Sequence, residues 1–134
     1  MNMPDKKLTP VQFEIMQAVW DSEEGATVAE IWEEIGQPRE VARTTILNLV
    51  GRLEKYGWLK RKKKSGVYRY LATVDRETAT ADVAGQFVDD FFGGSTSDLF
   101  MSLLGNEKIS NNELDQLRKL IGSKANRPKK GKKQ

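Results

Sequence analysis

The residues best suited to a chemical task lie along one face of a helix predicted over residues 41–57, VARTTILNLVGRLEKYG. Its apolar residues recur every three or four positions, which is the spacing of an amphipathic helix. The opposite face carries short polar side chains and bases: Thr44, Thr45, Asn48, Gly51, Arg52 and Lys55. Asparagine can bond adenine in two places, threonine can contact a phosphate or a thymine methyl group, and arginine can bind guanine or a phosphate. The pattern favours a helix that enters the major groove of DNA, with an ordinary surface helix as the alternative.

Two shorter helices are predicted to support this one. Residues 9–12 (TPVQ) and 27–30 (TVAE) each begin with a threonine that can cap a helix. Three positions later, each has a Gln or Glu that can return a hydrogen bond to the cap. The second helix should end at Ile35, because Gly36 and Pro38 follow. Three short helices, the third polar and basic outside, indicate a helix-turn-helix domain. Its predicted core comprises Val11, Ile15, Val19, Ile31, Ile35, Ile46, Leu49, Leu53 and Leu71.

A β-hairpin is predicted directly after the third helix, over residues 58–72, WLKRKKKSGVYRYLA. The runs 58–63 and 67–72 flank a turn at Ser65-Gly66, and the second run alternates and is rich in β-forming residues. A hairpin in this position is the wing of a winged helix-turn-helix domain; a solvated, charged hairpin is the alternative. The helix and the wing together give the predicted DNA contacts: Arg43, Thr44, Thr45, Asn48, Arg52, Lys55, Lys62, Lys63, Lys64 and Tyr68.

Charge is distributed unevenly along the chain. Residues 58–70 contain six bases and no acid, whereas residues 75–122 contain nine acids and four bases. Residues 123–134 again contain six bases and no acid, and we expect them to form a disordered basic tail. The overall charge of +3 hides this pattern. Local basic patches suit a polyanion, so double-stranded DNA is the expected partner.

The residues that the chain lacks exclude several functions. With no Cys and no His, it has no disulfide, no zinc site of the Cys/His kind and no Ser-His or Cys-His catalysis. The adjacent carboxylates Asp89 and Asp90 would point about 100° apart on a helix, too far to share a proton or a metal. We therefore expect neither an enzyme nor a cofactor or metal site. No apolar run approaches the ~20 residues of a membrane span, so we expect a soluble, cytoplasmic protein without membrane insertion.

The region from Asp75 onward predicts three further helices, which end at Gly93-Gly94, Gly105 and Gly122. They total fewer than ~50 residues, too few to bury their apolar side chains alone. We expect a second copy of the same region to bury these side chains, which gives a two-fold homodimer. Packing against the helix-turn-helix domain is the alternative. The predicted dimerisation residues are Phe87, Phe91, Leu99, Phe100, Leu103, Leu117 and Ile121.

Taken together, these segments resemble the penicillinase repressor family, the BlaI/MecI/CopY group. The resemblance runs from about residue 8 to 122 and lies in these stretches: LTPVQFEIMQAVW, TVAEIWEEI, VARTTILNLVGRLEKYGWLKR, VYRYLATV and GNEKISNNELDQLRKLI. It implies a mainly α fold, with a winged helix-turn-helix DNA-binding domain over residues 8–74 and a helical dimerisation arm over 75–122. It also implies a dimeric repressor of a palindromic operator. In the antibiotic-responsive branch, a membrane-bound sensor protease cuts the dimerisation region to relieve repression.

Three departures from the family's pattern bear on regulation and on DNA binding. The copper-responsive branch binds metal through C-terminal cysteines, which this chain lacks. The bond cut in the antibiotic-responsive branch is Asn-Phe, and the matching pair here is Ser102-Leu103. Ala42 stands where the relatives of that branch have a serine cap on the recognition helix.

Two further functions remain open at this point. A nonspecific or architectural nucleic-acid-binding protein would use the lysine-rich hairpin and the tail, and it would lack a preference for one sequence over bulk DNA. A repressor that senses a small molecule would need a pocket, which the sequence cannot locate.

Overall fold

The computed structural model describes residues 3–4 and 6–125 of the 134-residue chain. The described part is mainly helical, with one two-stranded antiparallel sheet, as predicted. In chain order its elements are α1 (Pro10–Trp20), α2 (Val28–Ile31) with a π-helical turn (Trp32–Gly36), α3 (Arg43–Lys55), β1 (Leu59–Lys64), β2 (Val67–Ala72), α4 (Arg76–Phe92), α5 (Thr96–Gly105) and α6 (Asn111–Ala125). The described residues form two compact units, which divide between Gln86 and Phe87.

The helix starts predicted at Thr9, Thr27 and Asp75 are confirmed. Each depends on a hydrogen bond between residues three positions apart. Thr9 and Thr27 each accept a hydrogen bond from a backbone N–H three residues on, and Gln12 and Glu30 return one. Asp75 starts α4 by accepting from the backbone N–H of Thr78 at 2.9 Å. The Thr78 hydroxyl and this N–H hold the pKa of Asp75 below its usual value.

The second helix is more irregular than predicted. Regular α2 stops at Ile31, and the chain continues to Gly36 as a π-helical turn. Ile31 and Ile35 are nevertheless both buried, as the spacing predicted. At Gly36 an added Cβ would lie 2.6 Å from Trp32 Cδ1 and 2.9 Å from Ile46 Cγ1. Glycine is therefore needed here because the Trp32 ring packs directly against the backbone.

The core of the first unit contains most of the predicted residues. Ile15, Val19, Ile31, Ile35, Ile46 and Leu53 are buried, and Leu49 is half-buried against them. The assignments of Val11 and Leu71 to the core are wrong: both are half-buried outside it, and the neighbour of Leu71, Tyr70, is 5% exposed. Tyr70 faces inward, and its backbone pairs with that of Ala26, at 3.0 and 2.8 Å, on the side of β2 away from β1. The residue of β2 that points into the core is therefore one position earlier than predicted.

The three tryptophans join segments that are distant in sequence. The indole N–H of Trp20 donates to the carbonyl of Val74 at 2.9 Å, and that of Trp58 donates to the carbonyl of Lys6 at 2.9 Å. Val74 and Ala79 are both buried in this core, at 4% and 0% exposure. Packing of the first unit consequently extends past residue 74, where the sequence placed the domain boundary, into the first turns of α4.

The second unit comprises the end of α4 with α5 and α6. Gly93 and Gly94 both have positive φ, and they end α4 as predicted. Ser95 caps α5, and Ser110 with Glu113 forms the capping box of α6. The predicted end of α6 at Gly122 is wrong, because the helix continues to Ala125. The rest of the predicted tail, residues 126–134, lies outside the described residues.

No helix in the described part of the chain is long and apolar enough to span a membrane.

Candidate nucleic-acid interface

Helix α3 buries one face and leaves the opposite face open to solvent, as predicted. Ile46, Val50 and Leu53 are each at most 1% exposed, and they fix the helix against the core. The predicted DNA contacts on α3 are all exposed: Arg43, Thr44, Thr45, Asn48, Arg52 and Lys55. An added Cβ at Gly51 would have nothing within 4 Å, so the middle of this face is uncovered.

The start of α3 is held by Trp32 rather than by a capping side chain. Ala42 occupies the cap position and makes no side-chain hydrogen bond there. The indole N–H of Trp32 instead donates to the carbonyl of Val41 at 2.8 Å. The Arg43 guanidinium lies over the same ring, 5.0 Å from its centroid. Trp32 therefore positions the first base of the recognition helix, a role that the sequence pattern did not reveal because Trp32 and Arg43 lie on different helices.

The wing is a regular hairpin with a tight turn at the predicted place. Lys62 pairs with Arg69, Lys63 with Tyr68 and Lys64 with Val67. The turn residues Ser65 and Gly66 have φ of 53° and 81°, the positive values that a type I′ turn requires.

Tyr68 organises the cations on one face of the wing. Its ring lies 4.5 Å from the Arg61 guanidinium and 5.6 Å from the Lys63 ammonium. These contacts are cation–π interactions, which restrict where the two bases can point. Tyr68 itself is 43% exposed, so the face remains available to a partner.

Three of the six wing bases are engaged by carboxylates of the same unit. Arg61 lies 3.2 Å from Glu54, and Arg69 lies 3.5 Å from Glu30. Lys64 lies 3.1 Å from Glu24, and this hydrogen bond holds the pKa of Glu24 below its usual value. Among the described residues, no carboxylate lies within 4 Å of the cationic groups of Lys60, Lys62 or Lys63.

The outward face of α3 and the wing enclose one shallow concave surface. Its lining comprises Leu47, Asn48, Gly51, Arg52, Glu54, Lys55, Arg61 and Tyr70. Bases outnumber acids around it, and the single acid, Glu54, is paired with Arg61. The bases of this surface can bind a polyanion, and Asn48 can hydrogen-bond a base edge. Leu47 was missed in the sequence, although its position one turn before Gly51 places it on this side of α3.

The predicted dimerisation residues leave much apolar surface of the second unit open to solvent. Phe87, Phe91, Phe100 and Ile121 are exposed, while Leu99, Leu103 and Leu117 are half-buried. Phe91 is 71% exposed, and its ring lies 5.1 Å from that of Phe87. Within α5 no residue is buried.

The pair Ser102-Leu103 lies inside α5, where Ser102 is exposed and Leu103 is half-buried. The Ser102 carbonyl accepts from the backbone N–H of Asn106 at 3.1 Å.

A helix-turn-helix followed by a basic hairpin defines a winged-helix DNA-binding protein, and the fold and the charged surface place this chain in that class. Among solved structures, the YusO protein from Bacillus subtilis shares the fold, with a TM-score of 0.51 and 17% sequence identity. The match covers 90% of this chain and 77% of that one.

The family model described as Penicillinase repressor matches residues 8–123, and the chain belongs to this family. It is 26% identical over 115 residues to the penicillinase repressor of Staphylococcus aureus, covering 86% of this chain and 90% of that protein. It is 25% identical over 118 residues to the methicillin resistance regulatory protein MecI of Mammaliicoccus sciuri, covering 88% of this chain and 95% of that protein. The protein is a DNA-binding transcriptional repressor, as the resemblance predicted.

Proposed function

We propose that this repressor acts in the cytoplasm as a two-fold homodimer on an operator with two inverted half-sites. In each half-site, α3 lies in the major groove and the wing holds the adjacent phosphates. The observation that carries the proposal is the concave surface between α3 and the wing, which combines the exposed amide of Asn48 with the bases Arg52, Lys55 and Arg61.

The predicted contact residues on α3 and the wing have two different tasks in the proposal. Asn48 and Thr44 contact base edges, because they lie at the centre of the exposed face of α3 and carry short hydrogen-bonding groups. The remaining predicted contacts hold phosphates or sugars: Arg43, Thr45, Arg52, Lys55, Lys62, Lys63, Lys64 and Tyr68. Lys64 must first leave Glu24. Both side chains are exposed, at 59% and 72%, so water screens that ion pair and a phosphate can replace it.

Homodimerisation is supported by the apolar surface of the second unit. Soluble monomers rarely expose several large apolar side chains together, since each loses the free energy of burial. Phe87, Phe91, Phe100 and Ile121 are between 41% and 71% exposed in the single chain. A second copy supplies a surface of the same chemistry, and a two-fold axis lets both copies use the same residues.

We also infer that a membrane-bound sensor protease relieves repression by cutting Ser102-Leu103. A cut there would separate α6 from the DNA-reading unit without altering α3 or the wing. Because the bond lies within a helix, cleavage requires local unfolding of α5. Mass spectrometry of the repressor recovered from induced cells should find fragments that end at Ser102 and begin at Leu103. Intact chain in fully induced cells would contradict this mode of induction.

The experiment that tests the function is footprinting on the DNA upstream of the gene, followed by titration of the protected sequence against bulk DNA at fixed salt. We expect two inverted half-sites about one helical turn apart, or a multiple of it. Asn48→Ala should cost about 1–3 kcal/mol and flatten the preference at one base pair. Lys62→Ala is the matched control. It should weaken binding to all sequences alike and reduce the salt slope by about one.

Two results would reject the proposal. Protection without an inverted repeat would favour the architectural alternative, in which the basic surface binds any duplex. Equal losses of specific and nonspecific affinity in Asn48→Ala would show that the α3 face does not read bases.

A further inference from the structure

The exposed face of the recognition helix contains a large apolar side chain that the polar pattern does not explain. Leu47 is 48% exposed, whereas its neighbours Ile46 and Val50 are at most 1% exposed. In the described part of the first unit, the exposed large apolar residues are Leu47, Val67 and Tyr68. All three lie on α3 or on the wing, so this exposure is confined to the surface proposed to meet DNA.

The surroundings of Leu47 leave room for a ligand group at its side. Thr44 lies one turn before it and Gly51 one turn after it on the same stripe of α3. Because Gly51 has no side chain and nothing lies within 4 Å of its Cβ position, the surface next to Leu47 is open. Leu47, Asn48 and Gly51 line the same concave surface.

The charges around this apolar spot favour DNA as the occupant over a protein or an uncharged small molecule. Arg52, Lys55 and Arg61 line the same concave surface, and the one carboxylate there, that of Glu54, is paired with Arg61. An apolar side chain that shares a surface with several bases complements a base edge flanked by phosphates. In the major groove, the apolar group that a base edge offers is the 5-methyl group of thymine.

We propose that Leu47 is a specificity-determining residue that packs against the 5-methyl group of a thymine in each operator half-site. The inference rests on the proposed function, because it needs α3 in the major groove. Asn48, the next residue on the helix, is suited to bond adenine through its N6 and N7 atoms. Leu47 and Asn48 thus together select a step that contains A·T pairs, the leucine by apolar contact and the asparagine by hydrogen bonds.

The test removes the methyl group from DNA and the side chain from the protein in turn. Each thymine of the footprinted operator is replaced by deoxyuridine, symmetrically in both half-sites, and affinity is measured for the full-length wild type and for Leu47→Ala. Burial of one methyl-sized group corresponds to about a fourfold change in affinity. At one thymine position, replacing thymine by uracil in both half-sites should therefore weaken wild-type binding about fifteenfold. Leu47→Ala should bind thymine and uracil operators equally at that position.

Two variants serve as controls. Leu47→Met keeps an apolar side chain of similar volume and should keep the preference for thymine. Lys62→Ala should weaken binding to both operators while leaving their ratio unchanged. Since Leu47 is exposed and alanine favours the helix, Leu47→Ala should melt at the wild-type temperature, which separates a lost contact from lost folding.

Other outcomes overturn the inference, and they distinguish it from the proposed function. The inference about Leu47 fails if the wild-type protein binds equally well with uracil at every thymine position, or if Leu47→Ala is as sensitive to uracil as the wild type. If Asn48→Ala and Lys62→Ala still behave as proposed, such a result rejects only the role of Leu47 and leaves the proposed function standing. Operator binding that is unaffected by Leu47→Ala, Asn48→Ala and Lys62→Ala would reject the interface and this inference together.

Discussion

Two truncations of the chain should behave differently, because the first turns of α4 belong to the core of the first unit. A fragment of residues 1–73 lacks Val74, whose side chain is 4% exposed and whose carbonyl accepts from the indole of Trp20. It also lacks Ala79, which is fully buried, and Arg76, which pairs with Asp21. A fragment of residues 1–86 keeps all of these contacts.

The expected loss of stability can be worked out from these groups. Burying a valine side chain contributes about 1.5–3 kcal/mol. Leaving a partly buried N–H such as that of Trp20 without a partner costs about 1–3 kcal/mol. With Ala79 included, residues 1–73 should be less stable than residues 1–86 by about 3–7 kcal/mol. That is a large part of the ~5–15 kcal/mol that holds a domain folded.

Thermal melting followed by circular dichroism tests this difference. Residues 1–86 should melt cooperatively, and residues 1–73 should melt at least about 10 °C lower or not fold at all. Sedimentation should show residues 1–86 as a monomer and the full chain as a dimer at micromolar concentration. On the complete operator, residues 1–86 should bind about 10²–10⁴-fold more weakly than the full chain, because the tethered second contact is lost.

Three results would refute this reasoning. Equal melting temperatures for the two fragments would mean that Val74 and Ala79 do not support the core. A dimer of residues 1–86 would show that dimerisation does not depend on the second unit. A full-length chain that sediments as a monomer would remove the homodimer altogether.

Further expectations concern stability and charge. Leu53→Ala should cost about 2–5 kcal/mol, since Leu53 is 1% exposed; an unchanged urea midpoint would mean that the buried face of α3 is misassigned. Trp32→Phe keeps a ring near Arg43 but loses the N–H that donates to Val41, so it should lower the free energy of unfolding by about 1 kcal/mol. At temperatures below the melting transition, Trp32→Leu should bind the operator more weakly than Trp32→Phe, because only phenylalanine keeps a ring beside Arg43. Equal affinities would argue that the ring does not position Arg43. Glu24→Gln should strengthen operator binding, because Lys64 then reaches a phosphate without first leaving a carboxylate; an unchanged affinity would mean that Glu24 does not compete with DNA for Lys64.

The helix starts and the wing could be predicted from sequence because their determinants are local. The caps at Thr9, Thr27 and Ser110 depend on residues three positions along the chain, and the turn at Ser65-Gly66 depends on two adjacent residues. The buried face of α3 was predicted equally well, because its spacing follows from helix geometry alone.

The features that sequence reasoning missed depend on partners far along the chain. Trp20 bonds a carbonyl 54 residues away, and Trp58 bonds one 52 residues away. No local pattern could assign Val74 to the core of the first unit for the same reason. Tyr70, not Leu71, is the inward residue of β2, and the partner of its backbone is Ala26, in a loop far back along the chain. The continuation of α6 past Gly122 shows that an isolated glycine within a helical pattern does not by itself end a helix.

The ion pairs of the wing change what its charge implies for DNA binding. Six bases between residues 58 and 70 would suggest about six phosphate contacts for each subunit. Arg61, Lys64 and Arg69 already have carboxylate partners in the same unit, so each must exchange one anion for another before it contributes to affinity. Lys60, Lys62 and Lys63 need no such exchange. The wing of each subunit should therefore contribute less than the roughly six that its charge suggests to the slope of log affinity against log salt, because each carboxylate that loses its base takes up a cation from solution. In the free protein the paired bases connect the hairpin to Glu54, Glu24 and Glu30, so part of the wing's charge holds the hairpin in place until DNA displaces those carboxylates.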